Sequence, residues 1–508
     1  MLTYDFHDIG ADTLTGYLYR KIRGDILNGR LKPLEKMPSK RNFAKNLGVS
    51  VITVENVYAQ LSAEGYLDTK PRVGCYVAKI DEKLLLPDLG QTKAAAEDSF
   101  RIKESARKPD IVMNLAESYL DPKMFPFNIW AKLVREVLTK KREVLLERAP
   151  GTGVPELREA IAQFLLQYQN LRVNPEQIII GAGTEYLYGL IIHLLGPELV
   201  YAVETPGYPK TERIYESNGV TVKRIPMDGS GIDTVLLDRS KAQVVHISPS
   251  HQFPSGITMP IVRRMELLGW ARGSCKEETR NAEPDYKALK AVSGSGGPGN
   301  TDTAGPDMAA GGRFIIEDDY DSEFRLAGRP VPPLMGIDRE GRVIYLNTFT
   351  KSVSPTIRIS YMVLPEHLME RYRMRLGFYS CTVPSIEQYV LAEFIRRGYF
   401  EKHINRMRNY YRQKRDRLID AIEQSALGGR CHISGADAGL HFLMTVECPM
   451  SEKELSARLM KQGIKAEGLG SYGAGQTAGA PCLVVNYSGI PDDRISFVCQ
   501  ALLSALDH

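Results

Sequence analysis

The chain has 508 residues, too many for one ordinary hydrophobic core, so we expect about two to four domains. Its 43% of hydrophobic and 25% of charged residues are typical of globular proteins, and no apolar run is long enough to span a membrane. Seven cysteines without CxxC spacing and an N-terminus without a secretory pattern favour reduced thiols in the cytoplasm over a disulfide framework or a zinc site.

The net charge of +4 comes from the first segment of the chain. Residues 1–80 hold 12 Lys/Arg and 8 Asp/Glu, whereas the other 428 residues hold 53 of each. A local positive excess suits a polyanionic partner, although a solvated basic face explains the same counts equally well.

The first 78 residues carry the patterns of three helices and a hairpin. Apolar residues recur at helical spacing over 14–28. Ser39 and Ser50 are then candidate caps of two further helices, and Gly48 is the turn between them. Residues 66–77 alternate between apolar and polar types, as a hairpin does. Two helices joined by a tight turn predict a helix-turn-helix domain that binds double-stranded DNA.

The candidate DNA contacts are polar or basic groups near the start of each helix and at the hairpin tip. They are Ser39, Lys40, Arg41, Ser50, Thr53, Asn56 and Arg72. The string PSKRNFAKNLGVSVITVENVYAQLSAEGYL resembles the winged helix-turn-helix of the GntR regulators, whose usual form is close to PSxRxLAxxLGVSRxTVxxAYxxLxxEGxL. Val51 stands where that family usually has arginine, which removes one expected DNA contact and leaves phosphate binding to Lys40, Arg41 and Lys45.

The rest of the chain has an α/β pattern. We interpret the charged segment 79–110 as a linker. From residue 111 to 508, short apolar runs alternate with helical patterns, which indicates a mostly parallel sheet with helices on both faces. The runs lie at 178–183, 199–204, 242–248, 313–319 and 342–348. Residues 273–312 are rich in Gly, Ser and Pro and are predicted to form a flexible, dispensable insertion.

Polar residues follow several of these runs, where the strand ends of such a sheet form a ligand site. They match the needs of pyridoxal phosphate, which requires a lysine amine, an acid for the ring nitrogen, phosphate donors and a flat group against the ring. Lys351 would attach the cofactor aldehyde and Asp318 would pair with the ring nitrogen. Tyr208 would stack on the ring, Tyr320 would reach the ring oxygen, and Arg358 would clamp the phosphate. Each residue alone is more often an ordinary surface group.

From about residue 111 to the end, the chain resembles the fold-type I aminotransferases, and with the winged helix it is similar to the MocR/GabR regulators. The matching strings are ESYLDPKMFPFNIW, APGTGVPELREAIAQFL, SPSHQFPSGITMP, IIEDDYDSEF and TFTKSVSPTIRISY. The resemblance implies the same roles for the five residues above and adds Gly183, Thr184 and Thr350 as phosphate contacts. It also implies a smaller C-terminal subdomain and a homodimer.

Two positions depart from the enzymes. Phe253 stands where Asn-Pro-x-Gly supplies an asparagine to the ring oxygen, and Val484 stands where an arginine binds the substrate carboxylate. Lys210 or another basic group is the alternative partner for a carboxylate. We therefore expect a transcriptional regulator whose aminotransferase-like domain senses pyridoxal phosphate or an amine or amino-acid effector.

The expected target genes belong to vitamin B6 or amine and amino-acid metabolism. The alternative is an active aminotransferase with an attached DNA-binding module. A vacant aminotransferase fold is less consistent with the presence of Lys351, Asp318 and Arg358 together.

Overall fold

The computed structural model of the protein describes residues 13–71, 73–79, 111–273, 312–326, 331–473 and 479–507, with a few positions before residue 13. By contacts the chain divides into two units, Met1–Lys108 and Pro109–His508. Arg72, nearly all of the predicted linker 79–110 and all but the ends of the predicted insertion 273–312 lie outside the described residues.

The first unit is a winged helix-turn-helix, as predicted. Its elements are α1 (Leu14–Leu27), α2 (Lys40–Leu47), α3 (Val51–Ala63), β1 (Leu67–Lys70) and β2 (Gly74–Val77). The two strands pair antiparallel, and α1 and α2 both pack against α3. One apolar core joins these elements through fully buried side chains such as Leu18, Ile22, Val57 and Leu61.

Local hydrogen bonds explain where α2 and α3 begin and end. The Ser39 hydroxyl accepts the Asn42 N–H at 3.3 Å, and the Ser50 hydroxyl accepts the Thr53 N–H at 3.0 Å. The hydroxyl of Ser50 also lies 2.7 Å from that of Thr53, so two predicted DNA contacts serve to start α3. Gly48 ends α2 at a φ of 67°, a left-handed conformation that glycine adopts without a Cβ penalty.

The second unit is built on an eight-stranded sheet. After the short strand β3 (Met113–Asn114), its strands are β4 (Ile178–Gly181), β5 (Val200–Thr205), β6 (Thr221–Asp228), β7 (Gly231–Ile232), β8 (Val244–Ile247), β9 (Phe314–Asp318), β10 (Val343–Thr348) and β11 (Ser360–Val363). The order is β4-β11-β10-β9-β8-β5-β6-β7. The strands from β10 to β6 in that order are parallel, whereas β11 is antiparallel to both of its neighbours and β7 to β6. The sheet is therefore mostly parallel, as predicted.

Helices cover both faces of this sheet. They are α4 (Phe127–Lys140), α5 (Pro155–Gln169), α6 (Thr184–Leu195), α7 (Pro209–Ser217), α8 (Thr234–Arg239), α9 (Ile261–Ala271), α10 (Phe349–Ser352), α11 (Glu366–Leu376), α12 (Ser385–Arg396) and α13 (Tyr399–Glu423). In β4, Ile178 and Ile180 belong to the apolar cluster of α5 and α12, whereas Ile179 belongs to the cluster of α6 and α11. Both faces of the strand are buried, which explains its unbroken apolar run.

A smaller C-terminal subdomain follows. Its elements are β12 (Cys431–Ser434), β13 (His441–Val446), α14 (Glu452–Lys461), β14 (Ile464–Lys465), β15 (Glu467–Gly468), β16 (Cys482–Asn486) and α15 (Ile495–Asp507). An antiparallel sheet has the order β12-β13-β16-β15, and β14 pairs with β3. One face of this antiparallel sheet packs on α13, α14 and α15. On its other face, Leu443 and Val484 belong to a separate cluster with Tyr472 and Cys482. Within the described parts of the chain, no helix is long and apolar enough to cross a membrane.

The turn between α2 and α3 gives a matched test of backbone conformation. A Cβ added to Gly48 or to Gly24 of α1 meets no atom within 4 Å, so the two sites differ in φ and not in space. Gly48→Ala should lower the free energy of local unfolding by about 1 kcal/mol, because a left-handed alanine is strained. Gly24→Ala should raise it by up to about 1 kcal/mol, because alanine favours helix. Hydrogen exchange of the α3 amides measures the change in unfolding free energy in each variant. Equal changes in the two variants would contradict the assignment of the difference to φ.

Candidate cofactor site and DNA-binding face

The predicted DNA contacts of the first unit lie on α2 and α3. Arg41 and Asn56 are exposed. Lys40 Nζ lies 2.6 Å from Glu55 Oε1, and both side chains are about half exposed. Arg41 and Asn56 are therefore accessible to a partner, and their contacts with DNA phosphates and base edges stay predictions.

In the second unit, strand direction gathers the predicted cofactor residues. Strands β5, β9 and β10 are parallel, and β4 runs in the same direction because β11 is antiparallel to both β10 and β4. Their carboxyl ends meet at one edge of the sheet. Asp318 ends β9, and the segments that carry Gly183, Tyr208 and Lys351 follow β4, β5 and β10 at the same edge.

Asp318 is buried, and only one of its two carboxylate oxygens has a hydrogen-bond partner in the protein. Its Oδ2 accepts a hydrogen bond of 2.5 Å from the Tyr188 hydroxyl and lies 3.4 Å from His246 Nε2. His246 Nδ1 lies in turn 2.6 Å from the Tyr215 hydroxyl. Asp318 Oδ1 is buried and has no protein partner. A buried carboxylate oxygen needs a donor, and the protonated ring nitrogen of pyridoxal phosphate is a donor that fits it.

Three neighbouring carboxyl groups also have a buried oxygen without a protein partner. These oxygens are Glu204 Oε1, Asp319 Oδ1 and Glu323 Oε2. Burial raises the pKa of Glu204 to about 7, that of Glu323 to about 8, and that of Asp319 above its usual range. A proton on these groups reduces the cost of burying them. Asp318 is the last residue of β9, whereas Glu204 is the penultimate residue of β5 and Asp319 and Glu323 lie beyond β9.

Lys351 lies within a short helical turn, α10, directly after β10. Burial lowers the pKa of its amine, while the carboxylates of Asp321 and Glu117 act in the opposite direction. A lowered pKa increases the share of neutral amine, the form that attacks an aldehyde. The environment of Lys351 therefore fits covalent attachment of the cofactor.

Three of the predicted phosphate residues, Gly183, Thr184 and Arg358, come close together at the start of α6. Gly183 has a φ of 92°, and a Cβ built on it would lie 2.9 Å from Arg358 Nη2. Arg358 itself has a φ of 49°, and a strained non-glycine residue beside a candidate site supports a functional role. Thr184 is the first residue of α6, where free N–H groups favour an anion. The Thr350 N–H donates to the Thr348 hydroxyl at 3.1 Å.

A cavity of about 370 Å³ borders Arg358. Its walls are formed by Phe125, Trp130, Ala182, Thr356, Ile357, Arg358, Val383, Pro384 and Glu387. Arg358 Nη2 also forms a long ion pair of 3.9 Å with Glu185 Oε1, and Arg358 is the one predicted cofactor residue among those that line this cavity. Lys210, the alternative partner for a carboxylate, forms an ion pair with the same Glu185.

Aromatic rings surround Phe253, one of the two positions that depart from the enzymes. The ring centroid of Phe253 lies 5.9 Å from that of Tyr208, 4.9 Å from that of His441 and 5.2 Å from that of Tyr472. Val484 is fully buried in the same cluster. The two departures from the enzymes thus belong to one apolar cluster, here called the apolar wall.

Tyr320 lies beside a buried histidine and carboxylate pair. Its hydroxyl is 3.2 Å from His251 Nδ1, the nitrogen that lies 2.8 Å from Asp321 Oδ2. Burial and the nearby carboxylates of Asp321 and Asp318 raise the pKa of Tyr320, so the phenol keeps its proton. Tyr320 is therefore able to donate a hydrogen bond to a ring oxygen.

Several residues of the site were missed by sequence reasoning. They are Tyr188, Tyr215, His246, His251, Asp321 and His441. His246 gave the one available signal, since it is a polar residue inside the apolar run 242–248. The others are separated along the chain and come together only through the fold.

Comparison with known proteins agrees with this architecture. Residues 14–77 match the family of bacterial regulatory proteins of the gntR type, and residues 110–261 and 318–502 match aminotransferase class I and II. The chain is 36% identical to the HTH-type transcriptional regulator YdeL of Bacillus subtilis, with 88% of this chain and 87% of that protein covered. It is 30% identical to the probable rhizopine catabolism regulatory protein MocR of Rhizobium meliloti, with coverage of 88% and 84%.

Among solved structures, the multiple substrate aminotransferase of Thermococcus profundus has a TM-score of 0.63 at 21% identity and covers 84% of this chain and 97% of its own. That likeness shows the fold. A winged helix-turn-helix joined to an aminotransferase fold defines a class of DNA-binding transcriptional regulators. The chain belongs to the MocR family of these regulators.

The buried acid Glu323 predicts a pH dependence of stability. Its pKa is about 8 in the folded protein against 4.5 for the ordinary side chain, because the group is buried and Asp319 repels its charge. The folded state therefore binds more protons than the unfolded state between these pH values, so stability falls as pH rises through this window. Glu323→Gln should flatten the fall of Tm between about pH 5 and pH 8. An unchanged slope in the variant would contradict this assignment.

Proposed function

We propose that the aminotransferase-like unit binds pyridoxal phosphate and senses the cofactor itself, or an amine or amino acid that meets it, to modulate operator binding. The observation that carries the proposal is the free, buried Oδ1 of Asp318 at the same sheet edge as Lys351. A donor for that oxygen and an aldehyde for that amine are both supplied by this cofactor.

Each residue of the site has a proposed task. The cofactor supplies an aldehyde that reacts with primary amines and a ring that withdraws electrons. Lys351 holds it covalently, and Asp318 keeps a proton at the ring nitrogen. Arg358, with Gly183, Thr184 and Thr350, binds the phosphate, while Tyr208 packs against the ring and Tyr320 donates to the ring oxygen.

The names of the relatives support a metabolic target. One is the rhizopine catabolism regulator above, and another is the pyridoxine biosynthesis transcriptional regulator PdxR of Corynebacterium glutamicum, which is 27% identical with 96% of this chain covered. We infer target genes of vitamin B6 or amine and amino-acid metabolism. The proposal includes a cytoplasmic homodimer with a DNA-binding domain at 1–78, a linker at 79–110 and an effector domain at 111–508, because a two-fold pair presents two winged helices to repeated half-sites.

Removal of the Lys351 amine tests the cofactor site and the regulation together. Lys351→Ala should lose the covalent adduct that borohydride fixes in the cofactor-loaded protein, and its operator binding should no longer respond to added pyridoxal phosphate. Lys210→Ala is the matched control, because Lys210 is a nearby but exposed lysine paired with Glu185. Peptide mass mapping locates the adduct, and gel shifts with and without the cofactor measure the response. An adduct that persists in Lys351→Ala would assign the cofactor to another lysine.

The second candidate function is a working aminotransferase, and the apolar wall at Phe253 and Val484 argues against it. Valine cannot form the bidentate ion pair that orients a carboxylate. Loss of substrate orientation costs on the order of a hundredfold in rate. Steady-state assays with amino donors and 2-oxo acids should therefore give turnover below about 0.1 per second, against a usual enzyme range of about 1 per second or more. Turnover within that usual range would establish the enzyme instead.

A further inference from the structure

The first turn of α3 exposes two apolar side chains. Val51 is 42% exposed and Ile52 is 69% exposed. The core of the unit is formed instead by Val54, Val57 and Leu61 of the same helix, which are fully buried. Val51 and Ile52 are not among the side chains of this core, and they leave apolar surface in water.

The position of these side chains points to DNA bases. In a helix-turn-helix, residues at the N-terminal end of the second helix contact base edges in the major groove. Asn56 lies four positions after Ile52, and residues at this spacing share one face of a helix. The basic residues Lys40 and Arg41 lie on the preceding helix, where they are placed for the flanking phosphates.

The chemistry of α3 excludes the common reading of guanine. The usual guanine contact is a bidentate arginine or lysine, and α3 contains neither over its sequence VITVENVYAQLSA. The acidic side chain of Glu55 is paired with Lys40. The hydroxyl of Thr53 is hydrogen-bonded to Ser50, so the exposed groups at the first turn of α3 are the methyl groups of Val51 and Ile52. The base that offers a methyl group in the major groove is thymine.

We infer that Val51 and Ile52 determine operator sequence by packing against the C5-methyl groups of thymines, next to the base that Asn56 reads. Asparagine reads adenine through a bidentate contact, so the first two turns of α3 recognise A·T pairs. The substitution of valine for the arginine that GntR regulators usually carry thus changes the base that is read rather than deleting a contact.

Uracil provides the direct test, because it differs from thymine only by the missing C5-methyl group. The probe is the duplex recovered from a randomised library by repeated selection with the full-length protein. Each thymine of this duplex is then replaced singly by uracil, and the dissociation constant is measured at fixed salt. We expect at least one thymine in each half-site at which uracil weakens binding about fourfold, the factor that corresponds to one buried methyl-sized group.

Variants assign the effect to the two side chains. The double variant Val51→Ala, Ile52→Ala should bind the thymine duplex more weakly and bind thymine and uracil duplexes equally. Alanine favours helix and both positions are exposed, so the fold should be kept. Val51→Thr, which keeps the shape of valine but replaces one methyl by a hydroxyl, should give an intermediate ratio. Val262→Ala removes a similarly exposed valine in the second unit and should keep the wild-type ratio.

Three outcomes would overturn the inference. One is a selected site in which no uracil substitution weakens binding by twofold or more. Another is a double variant that still distinguishes thymine from uracil at the wild-type ratio. The third is a double variant whose oligomeric state changes while its thymine to uracil ratio does not, since the side chains would then contact protein and not DNA.

Discussion

The parallel arrangement of β5, β8, β9 and β10 is the constraint on which the cofactor site depends. Parallel strands end at one edge of a sheet, so the segments that follow them meet there even though they are far apart in sequence. Asp318 and Lys351 are brought to the same edge by β9 and β10, which are neighbours in the sheet. An antiparallel pairing of these two strands would place the acid and the amine at opposite edges.

The consecutive acidic residues Glu317, Asp318 and Asp319 of the segment IIEDDYDSEF have different hydrogen-bond partners. Successive side chains of a strand point to opposite faces. Glu317 accepts the N–H groups of Leu334 and Met335 at 2.6 and 2.9 Å, and Asp319 accepts hydrogen bonds from Gln169 and Tyr345. Both oxygens of Glu317 thus have donors of their own. Asp319 accepts both of its hydrogen bonds through Oδ2, and its Oδ1 has no protein partner. Asp318, between them, likewise has one buried oxygen without a protein donor, and it is the residue that ends β9.

Local chemistry made much of this protein predictable from its sequence. Ser39, Gly48 and Ser50 act within one or two turns of helix, so their caps and the turn followed from residue type and spacing alone. Asp318 and Lys351 were predictable as candidates because each follows a buried run, although their roles stay predictions. Tertiary contacts were not predictable in this way.

The hydrogen-bond chain at Asp318 shows why tertiary contacts could not be predicted from the sequence. Tyr188 lies on α6, Tyr215 on α7 and His246 on β8, and no local pattern indicates that they meet. Likewise His251 and His441 are 190 positions apart, yet their ring centroids lie 5.0 Å from each other. Such contacts depend on which helix packs on which face of the sheet, and that choice is made by the whole core.

Phe253 and Val484 replace polar enzyme residues, and the chemistry of a sensor explains why such replacements are tolerated. A ligand shifts an equilibrium between two conformations only through its different affinity for them, and rapid conversion to product would remove the ligand that carries the signal. Binding without fast turnover is therefore the property that regulation needs. An apolar wall keeps the space beside the cofactor and removes the ion pair that aligns a substrate for reaction. The same fold thus retains Lys351, Asp318 and Arg358, the residues proposed to hold the cofactor, while Phe253 and Val484 replace the polar groups that in the enzymes would align a bound amino acid.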